Sequence, residues 1–206
     1  MRVDPDTHFE SEFWKSGLLH VAGLDEAGRG ALAGPVAVGA VILPNDSTLL
    51  SRTLAGVRDS KQMTPLERES LAPCIQETAL AWSVAFASAE EIDSQGIVRA
   101  TRLAALRALQ DLSIFPQYLL TDFRLELPQL DISQTALVKG DVHCLSIAAA
   151  SVLAKTARDA YMRKLDSQYE GYGLGKHKGY GTQAHRLALR RLGLSSVHRR
   201  SFSFKK

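Results

Sequence analysis

Apolar residues in this chain gather in short runs divided by polar and glycine-rich turns. Residues 18–24, LLHVAGL, predict a buried strand, and residues 35–43, PVAVGAVIL, predict a second one rich in Val. Between them lies the glycine-rich turn DEAGRGALAG. Thr64-Pro65-Leu66-Glu67 predicts a helix start, with Thr64 as N-cap, Pro65 in the first helical position and Glu67 closing a capping box. A kink or break is expected near Pro73.

Further along, residues 80–88 predict a strand, and residues 97–112 a helix carrying Ile97, Leu103, Leu106 and Leu109. Tyr118 to Asp122 predicts a short strand ending on a carboxylate, and Thr135 to Val138 another strand. From about Ser146 the period becomes helical, through Ile147, Val152, Leu153, Ala157, Tyr161 and Leu165. A last helix is expected over residues 182–192. Early strands followed by alternating strand and helix argue for an α/β domain with a mixed sheet. Trp14, Trp82, Phe86 and Phe115 are expected in the core or at its edge.

With 206 residues and 45% hydrophobic content, the chain suits one domain with small appendages. The expected division is an N-terminal extension at 1–17, a catalytic domain at 18–170 and a basic helical segment at 171–206 packed on it. Cys74 and Cys144 form no CxxC pair, so structural zinc and a disulfide framework are not implied. No apolar run approaches the roughly 20 residues of a membrane span, and the N-terminus has acids where a signal peptide has an apolar core. A cytoplasmic, monomeric protein is the expectation.

The formal charge of +3 conceals an asymmetry. Nine of the 25 Lys and Arg lie in residues 171–206, with none of the 22 Asp and Glu. The remaining 16 bases against 22 acids leave the first 170 residues at −6. An acidic body with a basic C-terminal segment can gather carboxylates in one place and grip a polyanion with the other. Arg199, Arg200, Lys205 and Lys206 are candidate phosphate contacts.

The acids sit where strands are expected to end. Asp25 and Glu26 follow the first strand, Asp122 ends another, and Asp141 follows ALVKG. If those ends are neighbours, four carboxylates meet, and divalent cations relieve their repulsion. Hard oxygen ligands favour Mg2+ or Mn2+ over zinc. Two such ions, roughly 4 Å apart, suit in-line phosphodiester hydrolysis. The turn DEAGRGALAG fits neither a P-loop nor G-x-G-x-x-G, and bare acids would repel a phosphate cradled there. Its Gly-Arg-Gly offers close backbone approach and one guanidinium. Lys155 with Asp159, and Asp159 with Arg163, are expected as i,i+4 pairs on the long helix. His143, His177, His185 and His198 match no common zinc spacing, and exposure or phosphate contact is expected for His177 and His198.

GLDEAGRGALAGPV, DSK at 59–61, VKGD at 138–141, SIAAASVLAKTARD, HKGYGT and HRRSF together resemble the ribonuclease HII family, over about residues 20–204. The resemblance implies a ribonuclease H-like mixed β-sheet flanked by helices, with a helical C-terminal extension. It implies a site of Asp25, Glu26, Asp122 and Asp141 holding two divalent ions, Mn2+ or Mg2+. The implied substrates are RNA–DNA hybrids and duplex DNA containing ribonucleotides, cut 5′ of the ribonucleotide to leave 3′-hydroxyl and 5′-phosphate. Gly28, Arg29 and Gly30 would read the 2′-hydroxyl, Tyr180 would pack on the next sugar, and Ser60 and Lys61 would contact phosphate. The chain departs from the family's frequent pattern at Phe123, often glycine, and Gly181, often proline. Two other readings are another metal nuclease of the same fold, such as a resolvase or integrase, and a non-catalytic module that binds RNA–DNA hybrids.

Overall fold

The computed structural model describes residues 4–123 and 125–203; Lys205 and Lys206 lie outside them. The elements run α1 (His8–Lys15), β1 (Val21–Ala27), β2 (Val36–Ile42), α2 (Ser47–Thr53), α3 (Pro65–Thr78), β3 (Ala81–Ala87), α4 (Ala89–Gln95), α5 (Ile97–Gln110), β4 (Tyr118–Asp122), β5 (Gln134–Leu137), α6 (Gly140–His143), α7 (Leu145–Gln168), α8 (Leu174–His177) and α9 (Gln183–Leu192). The strands form one mixed sheet in the order β3-β2-β1-β4-β5. The pairs β1–β2 and β2–β3 are antiparallel, whereas β4 lies parallel to both β1 and β5. The C-terminal ends of β1, β4 and β5 therefore lie side by side.

Helix α7 covers one face of the sheet and α5 the other. On the α7 face a β-carbon at Gly23 would stand 2.2 Å from the Ser146 carbonyl carbon, and one at Gly39 would stand 2.4 Å from the Ala150 oxygen. The helix backbone thus rests directly on the strands, and Ile147, Ala150 and Val152 are fully buried beneath it. The opposite face packs Leu24, Val38 and Ile42 against Ala100, Ala104 and Ala108. Small residues on α5 let that helix approach closely as well. Trp14 on α1 enters the α7-side core, and Phe13 stacks on Tyr118 with centroids 3.9 Å apart. Trp82 and Phe115, expected at the core or its edge, stand exposed.

Local chemistry explains most boundaries. Thr64 and Glu67 form the capping box expected at the start of α3. The helix continues through Pro73 instead of breaking there, because Pro73 and Glu69 both face solvent and water can take the carbonyl that loses its donor. Thr182 caps α9 by accepting from the His185 amide. The first strand begins at Val21, not Leu18, and extends past Leu24. Antiparallel pairing of Asp25 with Gly39, Glu26 with Val38 and Ala27 with Ala37 carries it onward. The two acids therefore lie within the strand, not after it. No helix among the described residues is long and apolar enough to cross a membrane.

Candidate active site

The β1–β4 ladder stops at Leu24↔Thr121, so Asp25 and Glu26 project beyond it, next to Asp122 at the end of β4. Adjacent strand residues face opposite ways, yet at this sheet end ligand atoms of Asp25, Glu26 and Asp122 all come within 4.8 Å of one another. Asp25 is buried and the other two are partly so. Among the described residues, Asp25 Oδ2 and Glu26 Oε2 are buried and accept no hydrogen bond. A buried, unpartnered carboxylate oxygen is costly. Two side by side form an oxygen-rich pocket that fits a hard divalent cation.

The electrostatics agree. Burial, reinforced by the neighbouring Glu26 charge, pushes the Asp25 carboxyl well above the usual range. Burial also raises Glu26, against the pull of Arg29, whose Nη1 lies 3.6 Å from Glu26 Oε1. The nearby Ser151 hydroxyl on α7 works the other way and favours the charged Asp25 carboxyl. The Ser151 hydroxyl lies 2.8 Å from that of Ser60. The structure thus turns the Ser60 hydroxyl inward, and the residue is buried.

Asp141, on the short helix α6, stands apart from the three clustered acids. Its Oδ2 lies 3.3 Å from Lys61 Nζ, and burial raises its pKa against the Lys61 charge. Asp122 Oδ1 accepts from the Gly140 amide at 3.2 Å, which ties β4 to the start of α6. Burial works against the Lys61 ammonium, but Asp25, Asp141 and Asp59 outweigh it and raise its pKa. Lys61 therefore faces these acids as a cation with 70% of its side chain exposed.

Asp25, Glu26 and Asp122 line a cleft of about 510 Å³ together with Gly28, Arg29, Gly30, Ser60, Lys61, Lys155 and Tyr180. Asp141 lines the adjoining hollow, which shares Lys61 and Asp122. Gly28 has a positive φ of 88°, and a β-carbon there would stand 1.8 Å from Arg158 Nε. Gly30 has open space around it. The Tyr180 ring, partly exposed, has Lys155 Nζ 5.6 Å and the Arg158 guanidinium carbon 5.5 Å from its centroid.

Several residues around the cleft escape the sequence reading. Arg158 is fully buried and donates to the carbonyls of Pro35, Ala33 and Lys178. Ser151 and Arg158 lie seven residues apart, two turns along α7, so a charged residue on the buried face was a readable signal. Arg199 was expected on phosphate; it is fully buried and donates to Gly28, Arg29 and Gly34 carbonyls, which leave it no face for a ligand. His198 was expected exposed or on phosphate; it is buried against His185, where both rings bond neutral partners. The Lys155–Asp159 pair forms at 2.7 Å. Asp159 turns to Arg68 rather than Arg163, and Arg163 pairs with Glu69. Cys74 and Cys144 are both unpaired thiols.

Comparison with known proteins gives a consistent result. The family model described as Ribonuclease HII matches residues 22–205. The ribonuclease HII of Desulfitobacterium hafniense (strain Y51) is 47% identical over 202 residues, spanning 98% of this chain and 75% of that protein. That of Moorella thermoacetica is 48% identical over 201 residues, spanning 98% of this chain and 95% of that protein. The crystal structure of ribonuclease H2 from Pyrococcus horikoshii OT3 superposes with a TM-score of 0.73 at 27% identity, covering 89% of this chain and 94% of that one.

Proposed function

The chain belongs to the ribonuclease HII family and is a metal-dependent ribonuclease H acting on RNA–DNA hybrids, and from that premise we propose that it also incises duplex DNA on the 5′ side of an embedded ribonucleotide. The products would be a 3′-hydroxyl and a 5′-phosphate. The observation that carries this reading is the cluster of Asp25, Glu26 and Asp122, with two unpartnered buried oxygens, in one cleft with the Gly28–Gly30 loop and Tyr180.

In this reading Asp25, Glu26, Asp122 and Asp141 hold two divalent ions, Mg2+ or Mn2+. When bound, such ions supply activation of water and neutralisation of charge on the displaced oxygen. The protein's own residues do the rest. Ser151, whose hydroxyl meets that of Ser60, favours the charged form of Asp25. Lys61, ion-paired with Asp141 and largely exposed, would be the cation that meets the substrate phosphate. Gly30, exposed and without a side chain, lets the backbone approach the 2′-hydroxyl, the one group that distinguishes ribose from deoxyribose. Arg29 faces the same sugar-phosphate edge. The Tyr180 ring packs on the sugar of the following nucleotide, where a second 2′-hydroxyl would not fit. Exposed Lys176, Arg190, Arg191 and Arg200 in the C-terminal segment contact more distant phosphates. We propose that the protein works as a monomer.

The test is a labelled DNA duplex with one ribonucleotide beside an all-DNA control, with Mg2+, Mn2+ or chelator. Metal-dependent incision 5′ of the ribonucleotide, with the control intact, is the expected result. Incision of both duplexes would make the protein an unselective nuclease. Binding of RNA–DNA hybrids with no cleavage under either metal would make it a non-catalytic module.

A further inference from the structure

Residues 197–199 run antiparallel to residues 32–34. Ala33 and His198 form a bridge, Gly34 donates its amide to the Val197 carbonyl at 2.8 Å, and Arg199 donates its amide to Leu32 at 2.9 Å. Neighbouring residues on an extended segment send their side chains in opposite directions. Arg199 goes to the glycine loop: Nη2 donates to the Gly28 carbonyl at 2.8 Å, Nη1 to Arg29 at 2.8 Å and Nε to Gly34 at 2.9 Å. His198 goes the other way, its Nε2 lying 3.1 Å from Nε2 of His185.

The partners fix where the protons sit. His185 Nδ1 lies 3.0 Å from the Tyr180 carbonyl oxygen, which can only accept, so Nδ1 carries the hydrogen. In the neutral ring, His185 Nε2 is then bare and must accept, and His198 Nε2 must donate. His198 Nδ1 is left bare, and it accepts from the Ser195 amide at 3.0 Å with the Ser195 hydroxyl 2.8 Å away. Donation therefore runs in one direction, from Ser195 through His198 and His185 to the Tyr180 carbonyl. Burial favours the neutral rings this requires, since it lowers the pKa of both histidines.

We infer that His198 and Arg199 are paired positioning residues that hold the Gly28–Gly30 loop and the Tyr180 peptide in one fixed register. Two adjacent residues thereby join two parts of the cleft drawn from opposite ends of the chain. Neither touches substrate. The inference rests on the proposed reading of that loop and Tyr180 as the ribose-selecting surface. Its consequence is specific: loosening either residue degrades selection of a lone ribonucleotide more than it degrades hydrolysis.

The test uses the full chain with saturating Mg2+. The kcat/KM for a duplex with one ribonucleotide is divided by that for an RNA–DNA hybrid, at a temperature where melting curves show every variant folded. His198→Ala and Arg199→Lys should lower this ratio about tenfold, the scale expected when a positioned group is displaced or loses one hydrogen bond. His198→Gln, whose amide can still donate to His185, should recover most of it, and it remains informative if the alanine variant does not fold. In a Tyr180→Ala background, His198→Gln and His198→Ala should give the same ratio, because the ring whose placement they set is gone. Equal losses on both substrates, or a ratio unchanged in His198→Ala and Arg199→Lys, would overturn the inference while leaving the ribose reading intact. A wild-type protein that cuts all-DNA duplex equally well would instead remove the ribose reading, and this inference with it.

Discussion

The α-carbon of Gly28 packs against the buried side chain of Arg158 so closely that an added β-carbon would stand 1.8 Å from Arg158 Nε. That guanidinium is held on three carbonyls and cannot yield cheaply. Gly28 also has a φ of 88°, which L side chains rarely adopt. Gly28→Ala should therefore destabilise the protein by about 2–4 kcal/mol, combining backbone strain with overpacking. Urea melts would check this, and a loss below about 0.5 kcal/mol would mean that Arg158 moves easily.

Gly30, two residues on, supplies the contrast. Nothing lies within 4 Å of a β-carbon there, and its φ is not in the left-handed region. Gly30→Ala should leave stability within about 0.5 kcal/mol of wild type, as expected of an exposed site. If the glycine serves substrate approach, the variant should still bind less ribonucleotide-containing duplex in a titration with Ca2+ in place of the catalytic metal. Unchanged affinity would show that this glycine is an ordinary turn residue.

The two glycines also show what the sequence could and could not convey. The strands and the helices α3, α5, α7 and α9 were legible because their apolar periods and caps are local, as at Thr64 and the run ending on Asp122. The motif spacing pointed to the acids, but not to their lying inside β1, because the pairing that extends that strand comes from β2. The roles of Arg199 and His198 were illegible for a different reason. A basic residue looks the same in sequence whether it meets water, phosphate or a carbonyl. Only the long-range bridge between Ala33 and His198 decides it.

Asp25 should be a liability in the metal-free protein. Its carboxylate is buried beside Glu26, with one oxygen unpartnered. Asp25→Asn should abolish cleavage and raise the melting temperature in chelator, by about 1–2 kcal/mol of stability at neutral pH. Metal at 100 times its Kd should stabilise wild type by about 2.7 kcal/mol, and the variant by much less. A variant that melts lower than wild type in chelator, or gains as much from Mg2+, would remove Asp25 from the proposed ion site.

Tyr180 should contribute to selection far more than to folding. The residue is 36% exposed, and its ring rests near Lys155 and Arg158 at cation–π distances. Tyr180→Ala should cost about 1 kcal/mol of stability or less. The ratio of kcat/KM for a lone ribonucleotide to that for consecutive ribonucleotides should fall at the same time. Steady-state rates on the two duplexes provide the check. A large drop in melting temperature with an unchanged ratio would make the ring a packing element.

His198 should set part of the acid limit of stability. Desolvation, helped by His185, lowers its pKa from an ordinary 6.5 to about 4 in the folded protein. A histidine with a depressed folded pKa binds its proton more readily when unfolded. Its stabilising contribution is therefore complete above pH 6.5 and declines as the pH falls toward 4. At 1.36 kcal/mol per pH unit, the loss over that window is about 3 kcal/mol. Protonation of His198 would also put a hydrogen on Nδ1, facing the Ser195 amide from which that nitrogen accepts in the neutral ring. His198→Gln has no proton to gain at that position. The buried carboxylates titrate in both proteins and cancel in the comparison. Urea midpoints measured from pH 7 to pH 4 should thus fall more steeply for wild type than for His198→Gln. Parallel curves would show that the imidazole pair stays charged or hydrated in the folded state, contrary to the proton placement argued from its partners.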